Sequence, residues 1–329
     1  MRATRCPYSY CTNVKKNGSK GGKQRYYRHG RHTSWTSKPR PRKLRDKLWS
    51  QYAFDGRTVN SLAKEHKKST GYIRAQLNGY APPRIVQKPR TVAVIMDVTY
   101  FGDWGLLVVV DPYADASVGE NTAPCYATVE GTERTVDYEV ATDTIEAMGY
   151  SIIAATIDGR RGVRQMLESK GIPVQHCQFH QLMTITQCLT KKPRLVQNIE
   201  PRAIALTLAK SNELTFEDAL AGWHKKHGKW LKERDAVTRR YAHERTRRAY
   251  FSSCRNLPYL FTYQHDYMRE YTQQTGKKIA NTTSPLDGRF GVWKDKLIPR
   301  RGCSRARTIT ILRVSSLEEQ IRRAVQMCA

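Results

Sequence analysis

Val92–Tyr100, VAVIMDVTY, is the stretch on which the fold turns. Five apolar residues run unbroken to Asp97, and Val98, Thr99 and Tyr100 then continue the extended pattern. An apolar run this short, rich in β-branched residues, reads as a strand buried on both faces. A carboxylate within it is costly to bury unless a cation compensates it. Asp103–Tyr113, DWGLLVVVDPY, reads as a second strand behind a Gly102-Asp103 turn, and CYATVEG from Cys125 as a third. Residues 132–150 have a helical pattern, with Val136, Val140, Ile145 and Met148 spaced for one face. Ser151–Ile157 is another buried strand, ending at Asp158-Gly159. Residues 160–169 follow as helix, and IPVQHCQFH, ending at His180, as a last short strand.

Strand, strand, strand, helix, strand, helix is the order of an RNase H-like α/β fold. That order would set the strands of Asp97 and Asp158 side by side. Two carboxylates at neighbouring strand ends suggest a divalent metal site. Asp-Gly is also a common turn pair, so Asp158 alone is weak evidence. Asp97 is stronger evidence, because its strand continues beyond it.

The chain has 329 residues, with 57 Lys and Arg against 29 Asp and Glu, a net charge of +28. Such an excess points to a polyanionic partner, with nucleic acid foremost. Its distribution is uneven. Residues 1–90 carry 23 basic and 3 acidic residues, 91–180 carry 5 and 13, and 181–329 carry 29 and 13. An acidic middle suits cation binding and basic flanks suit phosphates. No apolar signal core opens the sequence, and the longest aliphatic run, Leu106–Val110, is too short to span a bilayer. The expectation is a cytoplasmic, nucleoid-associated protein that binds no membrane, with its eight cysteines as thiols or metal ligands.

In residues 1–37, Cys6, Cys11, His29 and His32 form C-x4-C-x17-H-x2-H around a Gly- and Lys-rich segment. Two short ligand pairs suit tetrahedral Zn²⁺, although free thiols and solvated histidines would read the same way. Residues 38–84 begin with a Pro-rich basic linker and then turn helical from Leu44. Val59, Leu62 and Ala63 share one helical face, Lys67-Lys68 make a turn, and Ser69 can cap a helix carrying Ile73 and Leu77. This is a helix-turn-helix pattern, which offers Lys67, Lys68, Thr70, Tyr72, Arg74 and Gln76 to DNA. A helical hairpin used only for packing is the bland alternative.

MDVTYFGDW, IDGRRGVRQ, HCQFHQ, HERTRRAY and NTTSPLDGRF, in that order, resemble the Mutator-like transposases of bacterial insertion sequences. The resemblance is closest to the branch with a zinc-binding N-terminal segment, and it covers nearly the whole chain. It implies a DDE transposase with an RNase H-like core in residues 91–180, a helical insertion in 181–280 and the rest of the core in 281–329. The implied acids are Asp97, Asp158 and, in NTTSPLDG, Asp287, where many members carry Glu. The family's C-x-x-H element falls on Cys177 and His180. The implied cofactor is a pair of Mg²⁺ ions, for which Mn²⁺ can substitute. The implied partners are double-stranded DNA (terminal inverted repeats and target) and a second copy of the chain, as a homodimer or larger.

Three points stay open. Glu244, in HERTRR, is the rival third acid, and its flanking arginines predict ion pairing there. Cys177 and His180 could ligate zinc with Cys188 or His176, shape the carboxylate site or simply pack; two ligands alone favour a structural role near the acids. Residues 181–280 read as basic helices in which Trp230, Tyr241 and Tyr250 either face DNA or turn to the core. A catalytically inactive transposase acting as a DNA-binding regulator is the rival function, and a nuclease that cuts without joining is a second.

Overall fold

Residues 14–20, 23–28, 33–36, 44–80, 89–114, 125–298 and 303–314 are described by a computed structural model. They divide into two compact units, residues 14–80 with 295–314, and residues 89–294.

The first unit opens with three strands, β1 (Lys15–Lys20), β2 (Lys23–Arg28) and β3 (Thr33–Thr36), paired antiparallel in that order. Three helices follow: α1 (Leu44–Ala53), α2 (Val59–Glu65) and α3 (Thr70–Asn78). Thr58 starts α2 with a capping box closed by Ser61. Ser69 caps α3, accepting the Tyr72 N–H at 3.1 Å. Leu48, Trp49, Leu62, Ile73 and Leu77 form the core of these helices. Ile311 and Val314, from a helical stretch at residues 305–314, close that core.

In the second unit the central strand is β4 (Thr91–Phe101), followed by β5 (Trp104–Val110) and β6 (Cys125–Glu130). Helix α4 (Thr135–Ala147), β7 (Ser151–Ile157), α5 (Arg161–Ser169) and β8 (Val174–His176) complete the alternating part. The five strands make one mixed sheet in the order β6-β5-β4-β7-β8. Strands β7 and β8 run parallel to β4, and β5 is antiparallel to both its neighbours. The chain is thus α/β in class.

Alternation sorts the β4 side chains between two layers. Val92, Val94 and Met96 pack with α4 and α5 through Tyr138, Ala141, Ile145, Val163 and Leu167. Ala93 faces the other way, toward Met268, Tyr271 and Ile279. Asp97 has the parity of Ala93 and belongs to that second face.

The α4 face differs from the sequence expectation. Val136 and Val140 are 46% and 55% exposed, while Tyr138, Ala141, Thr142 and Ile145 are buried. The face is displaced because Thr142 satisfies its hydroxyl on the Tyr138 carbonyl, and Tyr138 donates to Glu133. Polar residues that carry their own partners can take core positions.

Beyond β8 the chain is helical: α6 (Gln178–Leu189), α7 (Val196–Thr207), α8 (Glu213–His227), α9 (Glu244–Leu260), α10 (Asp266–Thr275) and α11 (Ser284–Leu297). The expected strand through His180 therefore ends at His176, and Cys177 is the N-cap of α6. Helices α7 to α9 enclose a core of their own around Phe216, Leu220, Trp223 and Phe261. A polar seam ties α9 back to the sheet. Gln175 and Gln178 both donate to the Leu260 carbonyl at 2.9 Å, and Thr262 donates to the Val174 carbonyl. Among the described residues no helix is long and apolar enough to cross a membrane.

Candidate active site

Strand register brings the first two acids together. Ile95 pairs with Thr156 across β4 and β7, and Asp97 and Asp158 each lie two residues further on. Asp97 therefore stands within β4, beside the C-terminal end of β7 that Asp158 directly follows, on the face that carries residues 279–287. Thr156 reaches across that face to donate to the Ala280 carbonyl at 2.6 Å.

Helix α11 brings the third. Asp97, Val108 and Tyr126 are successive partners across β4, β5 and β6. Trp293 packs against Tyr126, with ring centroids 6.2 Å apart. Six helical residues separate Trp293 from Asp287, roughly 9 Å of rise, which matches the two strand spacings of about 4.8 Å from β6 to β4. Asp287 lies in the first turn of this helix, and its charge acts on Asp97.

The electrostatics agree. The Asp97 carboxyl is pushed up to about 7, first by burial and then by the negative charges of Asp287 and Asp158, against a hydrogen bond from Val98 N–H. Glu244, the rival acid, is exposed at the first residue of α9 and is not among the charges that chiefly act on Asp97. Among the described residues Glu244 forms no ion pair either, contrary to the expectation from its flanking arginines.

Cys177 and His180 form a clamp on the segment leading into α11. The Cys177 sulfur accepts the Thr283 N–H at 3.2 Å and the Thr283 hydroxyl at 3.4 Å. Having donated to sulfur, that hydroxyl accepts from His180 Nδ1, 3.3 Å away. Next to it, Gln178 N–H donates to the Asn281 carbonyl and Asn281 Nδ2 to Gln178 Oε1, both at 2.9 Å. Burial would raise the Cys177 thiol, but hydrogen bonds from His180 and Thr283 outweigh it and bring it down to about 7. His180 is raised to about 9, first by its bond to Cys177, then by the charges of Cys177, Asp97 and Asp158. Both shifts run toward a thiolate beside an imidazolium. Its place in the structure is to hold the start of α11 over the strand ends.

Behind Asp158 stands a residue that periodicity did not single out. Gly159 has φ of +97°, and a Cβ there would stand 1.9 Å from His176 Cε1. His176 is buried, its Nδ1 has no hydrogen-bond partner among the described residues, and burial together with the Arg164 charge lowers it to about 4. It is a neutral packing group. Glu133 also lies close: its charge is felt with Asp158, and it holds Arg160 at 2.5 Å and the Tyr138 hydroxyl at 3.0 Å. Glu133 and Arg160 were illegible because they meet across 27 residues, and the contacts of His176 with Gly159 and of Thr283 with Cys177 span 17 and 106 residues.

Three carboxylates supply only oxygen, which suits Mg²⁺ or Mn²⁺ rather than a soft metal. A divalent ion would also relieve the repulsion that raises Asp97. In this conformation no group of three or more His, Cys, Asp or Glu among the described residues could hold a metal ion. Cys6, Cys11, His29 and His32, the expected zinc ligands, lie outside the described residues. On the α2–α3 pair, Lys67, Lys68, Thr70, Tyr72 and Arg74 are exposed, whereas Gln76 is half-buried and accepts from Arg45 Nε at 3.2 Å. No protein-family model matches the chain, and no curated protein matches it either.

Proposed function

We propose that the chain is a DNA transposase of the DDE type, similar to the Mutator-like transposases, which binds element ends and performs metal-dependent strand cleavage and transfer. The observation that carries this reading is that Asp158 and Asp287, the latter on a helix more than a hundred residues further along the chain, both act by their charge on the buried Asp97 carboxyl. The strand order β6-β5-β4-β7-β8, with β5 alone reversed, supports an RNase H-like core. The exposed α3 residues and the net charge of +28 support a helix-turn-helix grip on duplex DNA.

Mg²⁺ would be held by Asp97, Asp158 and Asp287, and when bound it would polarise the scissile phosphate and lower the pKa of attacking water. The chain's own groups position. Val98 N–H fixes one Asp97 oxygen, Gly159 lets the strand end turn behind Asp158, and the Cys177–His180 clamp sets the approach of Asp287.

The test uses a plasmid carrying the reading frame with its genomic flanks. Asp97→Asn or Asp158→Asn should reduce Mg²⁺-dependent cleavage at least about a thousandfold while leaving the mobility shift on the same DNA intact. Full cleavage by either variant would sink the site. Cleavage by neither variant nor wild type, with binding retained, would favour the regulator. A labelled pre-cut end then separates joining from cutting.

A further inference from the structure

Residues 233–242 are not the basic helical face that their composition suggests. Arg234 and Tyr241 bridge as antiparallel partners, the Ala242 N–H donates to the Glu233 carbonyl at 3.0 Å, and the Asp235 N–H to the Arg240 carbonyl at 2.9 Å. The turn is built by Asp235, whose carboxylate accepts the N–H groups of Val237 and Thr238 at 3.1 and 2.7 Å. Arg239 completes it with φ of +57°.

The base of the hairpin is equally fixed. The Tyr241 ring lies between the guanidiniums of Arg234 and Arg247, 4.3 and 3.9 Å from its centroid. Trp230 stacks on His243 at 3.6 Å, and Tyr250 is buried against His224. The three aromatics are therefore all engaged internally, the second of the two alternatives that the sequence left open.

What the hairpin offers outward is its tip. Val237 is 89% exposed, the most exposed large apolar side chain among the described residues. Arg239 and Arg240 follow it two and three residues on, exposed, and their guanidiniums have no partner among the described residues. Residues 224–248 hold ten Lys and Arg against Glu233, Asp235 and Glu244, and the first two of these acids are occupied by His243 and by the turn. A hairpin tip that carries an exposed apolar side chain beside cations has the form of the wedges that enter the minor groove against a base step.

We propose that this hairpin enters a groove of duplex DNA, seating Val237 against a base step while Arg239 and Arg240 neutralise the flanking phosphates. The proposal rests on the reading of the chain as DNA-binding. Its occupant is duplex DNA, chosen over a protein because of the uncompensated positive charge.

The test uses the full chain and a mixed-sequence 30-base-pair duplex. Binding is followed by fluorescence anisotropy across a KCl series, with permanganate reactivity reporting unstacked thymines. Arg239→Ala with Arg240→Ala should make the slope of log K against log[salt] shallower by about 1.8, roughly 0.9 for each phosphate contact. The double lysine variant should keep the wild-type slope. Val237→Ser should keep the slope but lose the thymine reactivity that wild type induces. An unchanged slope in a double alanine variant that melts like wild type overturns the hairpin contact. Unchanged permanganate reactivity in Val237→Ser overturns the insertion. If wild type does not bind the duplex at all, the DNA-binding reading falls and this inference with it.

Discussion

Asp97 carries the site's electrostatic cost, and that cost is measurable without any reaction. Its folded-state pKa lies above the unfolded value of about 3.9. The stability it contributes is therefore fully present below about pH 4 and lost as pH rises through 7. Without divalent cations, folding should lose about 4 kcal/mol from this group across that window. His176, with its lowered pKa, acts in the opposite direction over much of the same range. The difference between wild type and Asp97→Asn in EDTA, from denaturant melts at a series of pH values, separates the two. Superimposable pH profiles would refute the charge cluster. Gly159 is the second decisive residue. Gly159→Ala meets His176 and a disfavoured φ together, so it should destabilise by about 3 kcal/mol or more. Adding His176→Ala should return only the steric part, leaving roughly 1 kcal/mol of backbone strain in the melting curve.

Among elements, α11 shows what sequence reading can and cannot deliver. The strands of Asp97 and Asp158 were legible because an unbroken apolar run has few alternatives, and β4, β5 and β7 form where the runs lie. Thr282, Thr283 and Ser284 each offer a helix cap and Pro285 suits a first turn, and α11 starts at Ser284. That this start is moored to Cys177 and His180, about a hundred residues earlier, has no periodic signature. The hairpin at 233–242 was hidden for a related reason. Its turn is made by an aspartate side chain bonding the backbone, with no Asn-Gly or Gly-rich pair to mark it. In α4 the apolar valines were followed instead of the buried tyrosine and threonine. The mooring can be tested. Cys177→Ala should lower cleavage about 10- to 100-fold, the range found when a group that orients a metal ligand is lost, with duplex binding unchanged. Hydrogen exchange across residues 281–290 should quicken. Cys177→Ser keeps an acceptor for Thr283 without the negative charge opposite His180, so its loss should be smaller. Wild-type exchange rates in Cys177→Ala would remove the clamp.

For the molecule as a whole, the two units have different chain economies. The sheet unit is continuous from residue 89 to 294, whereas the helical unit combines residues 44–80 with Ile311 and Val314 from the far end of the described chain. Composition separated the basic flanks from the acidic middle, but it could not show that the flanks share a core. Ile311→Ala should cost about 3 kcal/mol and accelerate amide exchange in α1 to α3, leaving β4 to β8 unaffected. Equal acceleration in the sheet would mean that the units unfold as one.

This arrangement bears on how the protein is made. Domains ordinarily fold as they leave the ribosome, N-terminal first. Here Leu48, Trp49 and Leu62 emerge early but wait for Ile311, while the strands of Asp97 and Asp158 and the helix of Asp287 find all their sheet partners in between. On that order of emergence, the acids' scaffold has all its sheet partners before the core of the preceding helices has Ile311. A chain released early, after Lys294, would carry the acids with its first helices still open.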